Sequence, residues 1–145
     1  MTRYDTNLAA EFYVLSMLHR LGAAASLTLG NRKSVDIFIA LPDGSMLTLD
    51  VKGLAGPYDW PADNIRLPAH PSHFFALLTF EGKIADPLHT PKVWVLPANE
   101  LSPFIKKYKT RKVVSRALMR KEGTEYLNNW SAFIPDVSDG SSTPR

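Results

Sequence analysis

The stretch from Ser34 to Gly53, SVDIFIALPDGSMLTLDVKG, constrains what this chain can fold into more than any other. Pro42-Asp43-Gly44 carries turn chemistry, because proline presets φ for an early turn position and glycine tolerates φ > 0. The flanks, Val35 to Leu41 and Met46 to Val51, are rich in Val, Ile, Leu and Phe, which predicts the two strands of a hairpin. Side chains alternate along a strand, so Asp50 and Lys52 share one face while Leu47, Leu49 and Val51 share the other. If Pro42 to Gly44 form the loop, Leu41 pairs with Ser45, Ala40 with Met46 and, further along, Asp36 with Asp50. The two aspartates then face each other with Cβ atoms ~4.5–5.5 Å apart. A two-residue loop would set Asp36 against Val51 instead.

Two facing carboxylates on a mostly apolar hairpin are costly unless something neutralises them. A hard divalent cation does so, and Mg²⁺ takes one or two carboxylates and completes its shell with waters and phosphate oxygens. A lysine on the same face, here Lys52, can orient or deprotonate a water or steady a phosphate. The alternative is a surface salt bridge among Asp36, Asp50 and Lys52, which would contribute little. The spacing, the turn and the apolar flanks together favour a site.

Asp36, thirteen intervening residues, then Asp50-Val51-Lys52 resembles the PD-(D/E)xK nuclease superfamily, which includes restriction enzymes, archaeal Holliday-junction resolvases and tRNA-intron endonucleases. The resemblance covers the first half of the chain well and the rest loosely. It implies an α/β fold with a restriction-endonuclease-like core, a mixed sheet of about five strands flanked by helices. It also implies Mg²⁺ or Mn²⁺ held by Asp36, Asp50, the Val51 carbonyl and, through water, Glu11, with Lys52 at the attacking water. Two features depart from the family pattern: Val35 stands where a proline often precedes the first aspartate, and no glutamine follows Lys52 at two residues.

The remaining chain adds context. At 145 residues, with 45% hydrophobic and 21% charged content, it reads as one globular domain over residues 1–135. The absence of cysteine excludes disulfides and thiolate metal sites. No apolar run approaches the ~20 residues of a membrane helix, and the start MTRYDTNLAAE does not read as a signal peptide, so a cytoplasmic protein is expected. Asp5 to Leu21 reads as a helix with a stripe of Leu8, Phe12, Leu15 and Leu18, capped by Asp5 or Thr6 and ended by Gly22. Taken alone, Glu11 is a solvated helical residue. The resemblance places it on the first helix, where family members often point a Glu at the metal.

Ala25 to Leu29, Phe74 to Phe80 and Val93 to Leu96 read as strands, and helices are expected from Asn99 to about Tyr108 and through EYLNNWSAF after Thr124. Tyr126, Leu127, Trp130 and Phe133 would form the stripe of the last helix. LAGPYDWPADNIRLPAHPSH, with four prolines, reads as a loop in which Tyr58 and Trp60 either stack on bases or cover the sheet. Asp59 and Asp63 read as solvated carboxylates, and His70 and His73 lack a third zinc ligand. The tail from Asp136, DVSDGSSTPR, has the composition of disorder.

The net charge of +3 is mild, but its distribution is uneven. Eight of the seventeen basic residues fall between Lys106 and Lys121, with no acid among them. Lys106, Lys107, Lys109, Arg111, Lys112 and Arg116, with Arg32 and Lys33 before the Asp36 strand, are the candidate phosphate contacts. Such runs are also ordinary solvated faces, and part of this one is expected to be helical with Val113, Ala117 and Leu118 inward. The expected function is therefore metal-dependent phosphodiester hydrolysis on nucleic acid, DNA rather than RNA, by a chain compatible with a homodimer. The competing reading is a non-catalytic module that binds nucleic acid or protein. Exposed apolar surface around Trp60 would instead indicate a structural subunit.

Overall fold

The computed structural model describes residues 3–28 and 35–134, so Arg32, Lys33 and the tail from Asp136 lie outside the described residues. The elements are α1 (Arg3–Arg20), β1 (Ala24–Leu27), β2 (Ile37–Ala40), β3 (Met46–Leu54), β4 (Trp60–Pro61), β5 (His73–Thr79), β6 (Lys92–Pro97), β7 (Ile105–Lys107), β8 (Lys112–Val114) and α2 (Arg116–Glu122). Five strands form a mixed sheet in the order β1-β2-β3-β5-β6, with β3 and β5 parallel and the other neighbours antiparallel. A second sheet, which the sequence reading did not anticipate, has the order β4-β8-β7. The architecture is α/β, as expected. No described helix is long and apolar enough to cross a membrane.

The central hairpin has the register that a three-residue loop requires. Ala40 pairs with Met46 and Ile37 with Leu49, and the Leu41 N–H donates to Ser45. Gly44 closes the loop at φ +89°, a conformation a side chain would resist. β3 runs on to Leu54, beyond the expected end at Val51, because β5 pairs with it as far as Leu54↔Thr79. The near-continuous apolar run of β5, HFFALLT, fits a strand covered on both faces.

On one face, Ala10, Val14 and Leu18 of α1 pack on Ile37, Ile39, Leu49, Val51, Ala76 and Leu78. On the other, Trp60, Phe75, Leu77, Trp94 and Leu96 pack with Val114 and Met119. The buried stripe of α1 is thus Thr6, Ala10, Val14 and Leu18, rather than Leu8, Phe12, Leu15 and Leu18, and Phe12 is 52% exposed. The small residues are inward because α1 crosses β3 closely at Gly53. A Cβ on Gly53 would lie 2.7 Å from the Ala10 Cβ and 3.3 Å from the Thr6 carbonyl oxygen. α1 begins at Arg3, so neither Asp5 nor Thr6 caps it. It ends as expected at Gly22 (φ +87°), where the Ala23 and Gly22 N–H groups donate to Leu18 and His19 in the manner of a Schellman motif.

Two expected helices do not form. From Ala98 the chain makes two 3-10 turns, Ala98–Glu100 and Ser102–Phe104, and then enters β7. Pro103 lacks the N–H that a helix would need there. Asn99, expected as a cap, instead spends both amide groups on Ala69, accepting from its N–H (2.7 Å) and donating to its carbonyl (2.9 Å). The stretch after Thr124 also forms only 3-10 turns, Thr124–Tyr126 and Ser131–Phe133. Asn128 sits at φ +52° and its N–H donates to Val93, so the edge of β6 captures the chain before a helix can propagate. Trp130 and Phe133 are still core residues, while Leu127 is exposed.

The basic segment is a hairpin followed by a short helix. Ser115 caps α2 by accepting from the Leu118 N–H, Val113 is buried, and Ala117 faces solvent rather than inward.

Candidate active site

β2 stops one residue short of Asp36, and this ending creates the site. The Asp36 N–H donates to the Leu49 carbonyl at 2.9 Å, and its carboxylate accepts the Val51 N–H at 2.7 Å. A carboxylate therefore continues the ladder where the β2 backbone has left off, with a charge-assisted bond. In a strand both backbone groups of a residue point to the same edge, so the Val51 carbonyl points toward the Asp36 side as well. Asp50 and Lys52 project to the opposite face from α1, beside Phe75 and Leu77 of β5. The Lys52 Nζ lies 3.8 Å from Asp50 Oδ2 and 6.0 Å from the Phe75 ring centroid.

The electrostatics are those of an under-neutralised acidic cluster. Asp50 is buried, and burial pushes its carboxyl up to about 7, against the pull of Lys52 and with help from the charge and hydrogen bonding of Asp36 and the charge of Glu11. Glu11 is likewise raised to about 7, by burial first and by Asp36 second. One lysine does not balance three carboxylates in this environment. Among the described residues, no three His, Asp or Glu side chains are gathered closely enough to ligate one ion together. Mg²⁺ does not need three, since a pair of carboxylates with waters is an ordinary site for it. The oxygen-only donors Asp36 and Asp50, with excess negative charge, fit a hard divalent cation.

Glu11, Asp36, Asp50, Val51 and Lys52 line a single cavity of about 700 Å³, together with Asn7, Tyr58, Asp59 and Arg111. The structure thus gathers every expected catalytic residue. Asp50 also borders a second cavity of about 310 Å³, whose walls include Asn64, Arg66, His70 and His73. His73 was read only as half of an incomplete zinc pair. Here its Nδ1 is 2.7 Å from Thr48 Oγ1, its ring meets Phe75 edge-on, and burial lowers its pKa. The signal that would have found it is the parallel pairing of β3 with β5, which no sequence pattern announces.

Lys106, Lys107, Lys109 and Arg111 are exposed on the β7–β8 hairpin, and Arg111 reaches the large cavity. The Lys112 side chain and the Arg116 backbone serve the fold. The Lys112 N–H donates to Asp63 and its Nζ to the Ile65 carbonyl, and the Arg116 N–H donates to Asp59. Asp63 is exposed, as expected, and both Asp59 and Asp63 also pin the proline-rich loop to the basic segment. Trp60 is fully buried, its Nε1 donating to the Leu78 carbonyl, while Tyr58 two residues before it is exposed.

The fold superposes on the solved structure of a bacterial homing endonuclease, I-Ssp6803I, with a TM-score of 0.57. The match covers 95% of this chain and 97% of that one at 15% sequence identity, a level at which the likeness concerns the fold alone. No protein-family model matches the chain, and no curated protein sequence matches it.

Proposed function

We propose that this chain is a divalent-metal-dependent nuclease of PD-(D/E)xK type that hydrolyses phosphodiester bonds in nucleic acid, DNA rather than RNA. The observation that carries the reading is a buried Asp50 beside Asp36, with Lys52 at 3.8 Å, in a cavity of about 700 Å³. The shared fold with a homing endonuclease and the exposed basic hairpin next to the cavity support it. Asp36 and Asp50, with the Val51 carbonyl and through water Glu11, would hold Mg²⁺ or Mn²⁺. The ion supplies charge stabilisation at the scissile phosphate when bound. Asp36 keeps Val51 oriented through its backbone bond, and Glu11 closes the cavity from α1. The Lys52 Nζ positions or activates the attacking water, and the cations of the hairpin hold flanking phosphates.

A non-catalytic nucleic-acid-binding module is the second reading, because Lys106, Lys107, Lys109 and Arg111 are exposed independently of the acids. Calorimetric titration with Mg²⁺ and Mn²⁺ separates the two. The wild type is expected to bind either ion and Asp50→Ala to lose binding at least tenfold. Equal binding by both proteins, or none by either, would remove the catalytic reading and leave the module.

A further inference from the structure

We infer that Tyr58 is a stacking platform for an unpaired nucleobase, so that the preferred substrate carries a single-stranded nucleotide beside the phosphate at Asp50. The inference deepens the nuclease reading and rests on it for the identity of the site.

Tyr58 is 70% exposed, yet it is not on a free loop. On its N-terminal side, the Leu54 and Ala55 carbonyls accept the Phe80 and Gly82 N–H groups at 2.8 and 2.6 Å. On its C-terminal side, Asp59 accepts the Arg116 N–H at 2.9 Å and Trp60 is buried in the core. The ring edge lies against Gly56, where a Cβ would stand only 3.0 Å from Tyr58 Cε2. The loop is thus anchored at both ends and leaves room for the ring, while most of the ring stays in solvent.

This ring lines the same cavity as Asp36, Asp50 and Lys52, and Arg111 from the tip of the basic hairpin lines it too. An open aromatic face and a cation for phosphate in one cleft are the parts that bind single strands, because every base offers a π-face whatever its identity, and here both stand beside the carboxylate cluster. Bases inside an intact duplex have no free face, so a base that reaches Tyr58 must already be unpaired or be drawn out of the stack.

The test is binding of a single-stranded oligonucleotide, a flap of the same sequence and a blunt duplex, each bearing 2-aminopurine. Wild type, Tyr58→Ala and Tyr58→Phe are compared in Ca²⁺, so that the readout does not depend on turnover. Tyr58→Ala is expected to weaken single-strand and flap binding about tenfold, the scale of one lost base stack, and to leave duplex binding unchanged. Tyr58→Phe is expected to keep wild-type affinity and the quenching of 2-aminopurine. Equal weakening on all three substrates, or no change on any, would overturn the inference. Cleavage of the same substrates in Mn²⁺ is scored separately. A wild type that cuts none of them, while the Tyr58 effect persists, would remove the nuclease reading and leave the stacking role standing.

Discussion

Asp50→Asn is expected to reduce cleavage by on the order of 10²–10³-fold or more and, without metal at neutral pH, to make the protein more stable. The two effects share one cause. The Asp50 carboxyl is raised from 3.8 to about 7 in the folded protein, chiefly by burial, so the folded state binds its proton more tightly than the unfolded state does. Between those values the folded protein holds more protons, and its stability falls as pH rises. Above the folded value the full penalty applies, on the order of 4 kcal/mol for a shift of this size. Glu11, raised from 4.5 to about 7, acts in the same direction. Thermal melts in EDTA should therefore show Asp50→Asn and wild type alike near pH 4, with the variant melting higher at pH 8. Mg²⁺ should narrow this gap, since a ligand at 100 times its Kd adds about 2.7 kcal/mol to the protein that binds it. A variant less stable than wild type at pH 8 in EDTA would show that Asp50 is held by partners in the fold rather than waiting for a cation.

The second large effect is expected at a residue with no chemistry of its own. Gly53→Ala puts a methyl 2.7 Å from the Ala10 Cβ and 3.3 Å from the Thr6 carbonyl oxygen, so α1 must move away from β3. Overpacking of this kind costs about 1–3 kcal/mol. Glu11 follows Ala10 on α1, so the shift also withdraws a wall of the cavity from Lys52. Urea unfolding should record the loss. Ala10→Gly removes the opposing methyl, at about 1 kcal/mol of helix propensity. The double variant is therefore expected to be more stable than the sum of the two single losses. Strict additivity would mean that the two residues do not meet.

The local part of this fold was legible in the chain, and the non-local part was not. Pro42-Asp43-Gly44 announced a turn, and a three-residue loop, one of the two lengths it allowed, placed Asp36 at the level of Asp50, as the observed register does. Gly22 announced the end of α1 for a similarly local reason. The small residues of α1 were misjudged because hydrophobicity favours Leu8 and Phe12. What selects Thr6 and Ala10 is the backbone of Gly53, more than forty residues away in sequence. Asn99 and the segment around Asn128 carry helix signals, but their polar groups are taken by Ala69 and Val93, partners that only the folded sheet supplies. His73 is brought beside Asp50 by the pairing of β5 with β3, and Arg111 is brought to the large cavity by the pairing of β8 with β4, both non-local.

The most direct test of the central claim is cleavage of plasmid, single-stranded and branched DNA by wild type and Lys52→Met, in Mg²⁺, Mn²⁺ and EDTA. Lys52 is not among the residues assigned to the ion, so its loss separates chemistry from metal binding. Wild type is expected to cut only with a divalent ion, and a Lys52→Met protein that still binds Mn²⁺ in calorimetry is expected not to cut. Equal cutting by the two proteins, or cutting by wild type in EDTA, would contradict that claim.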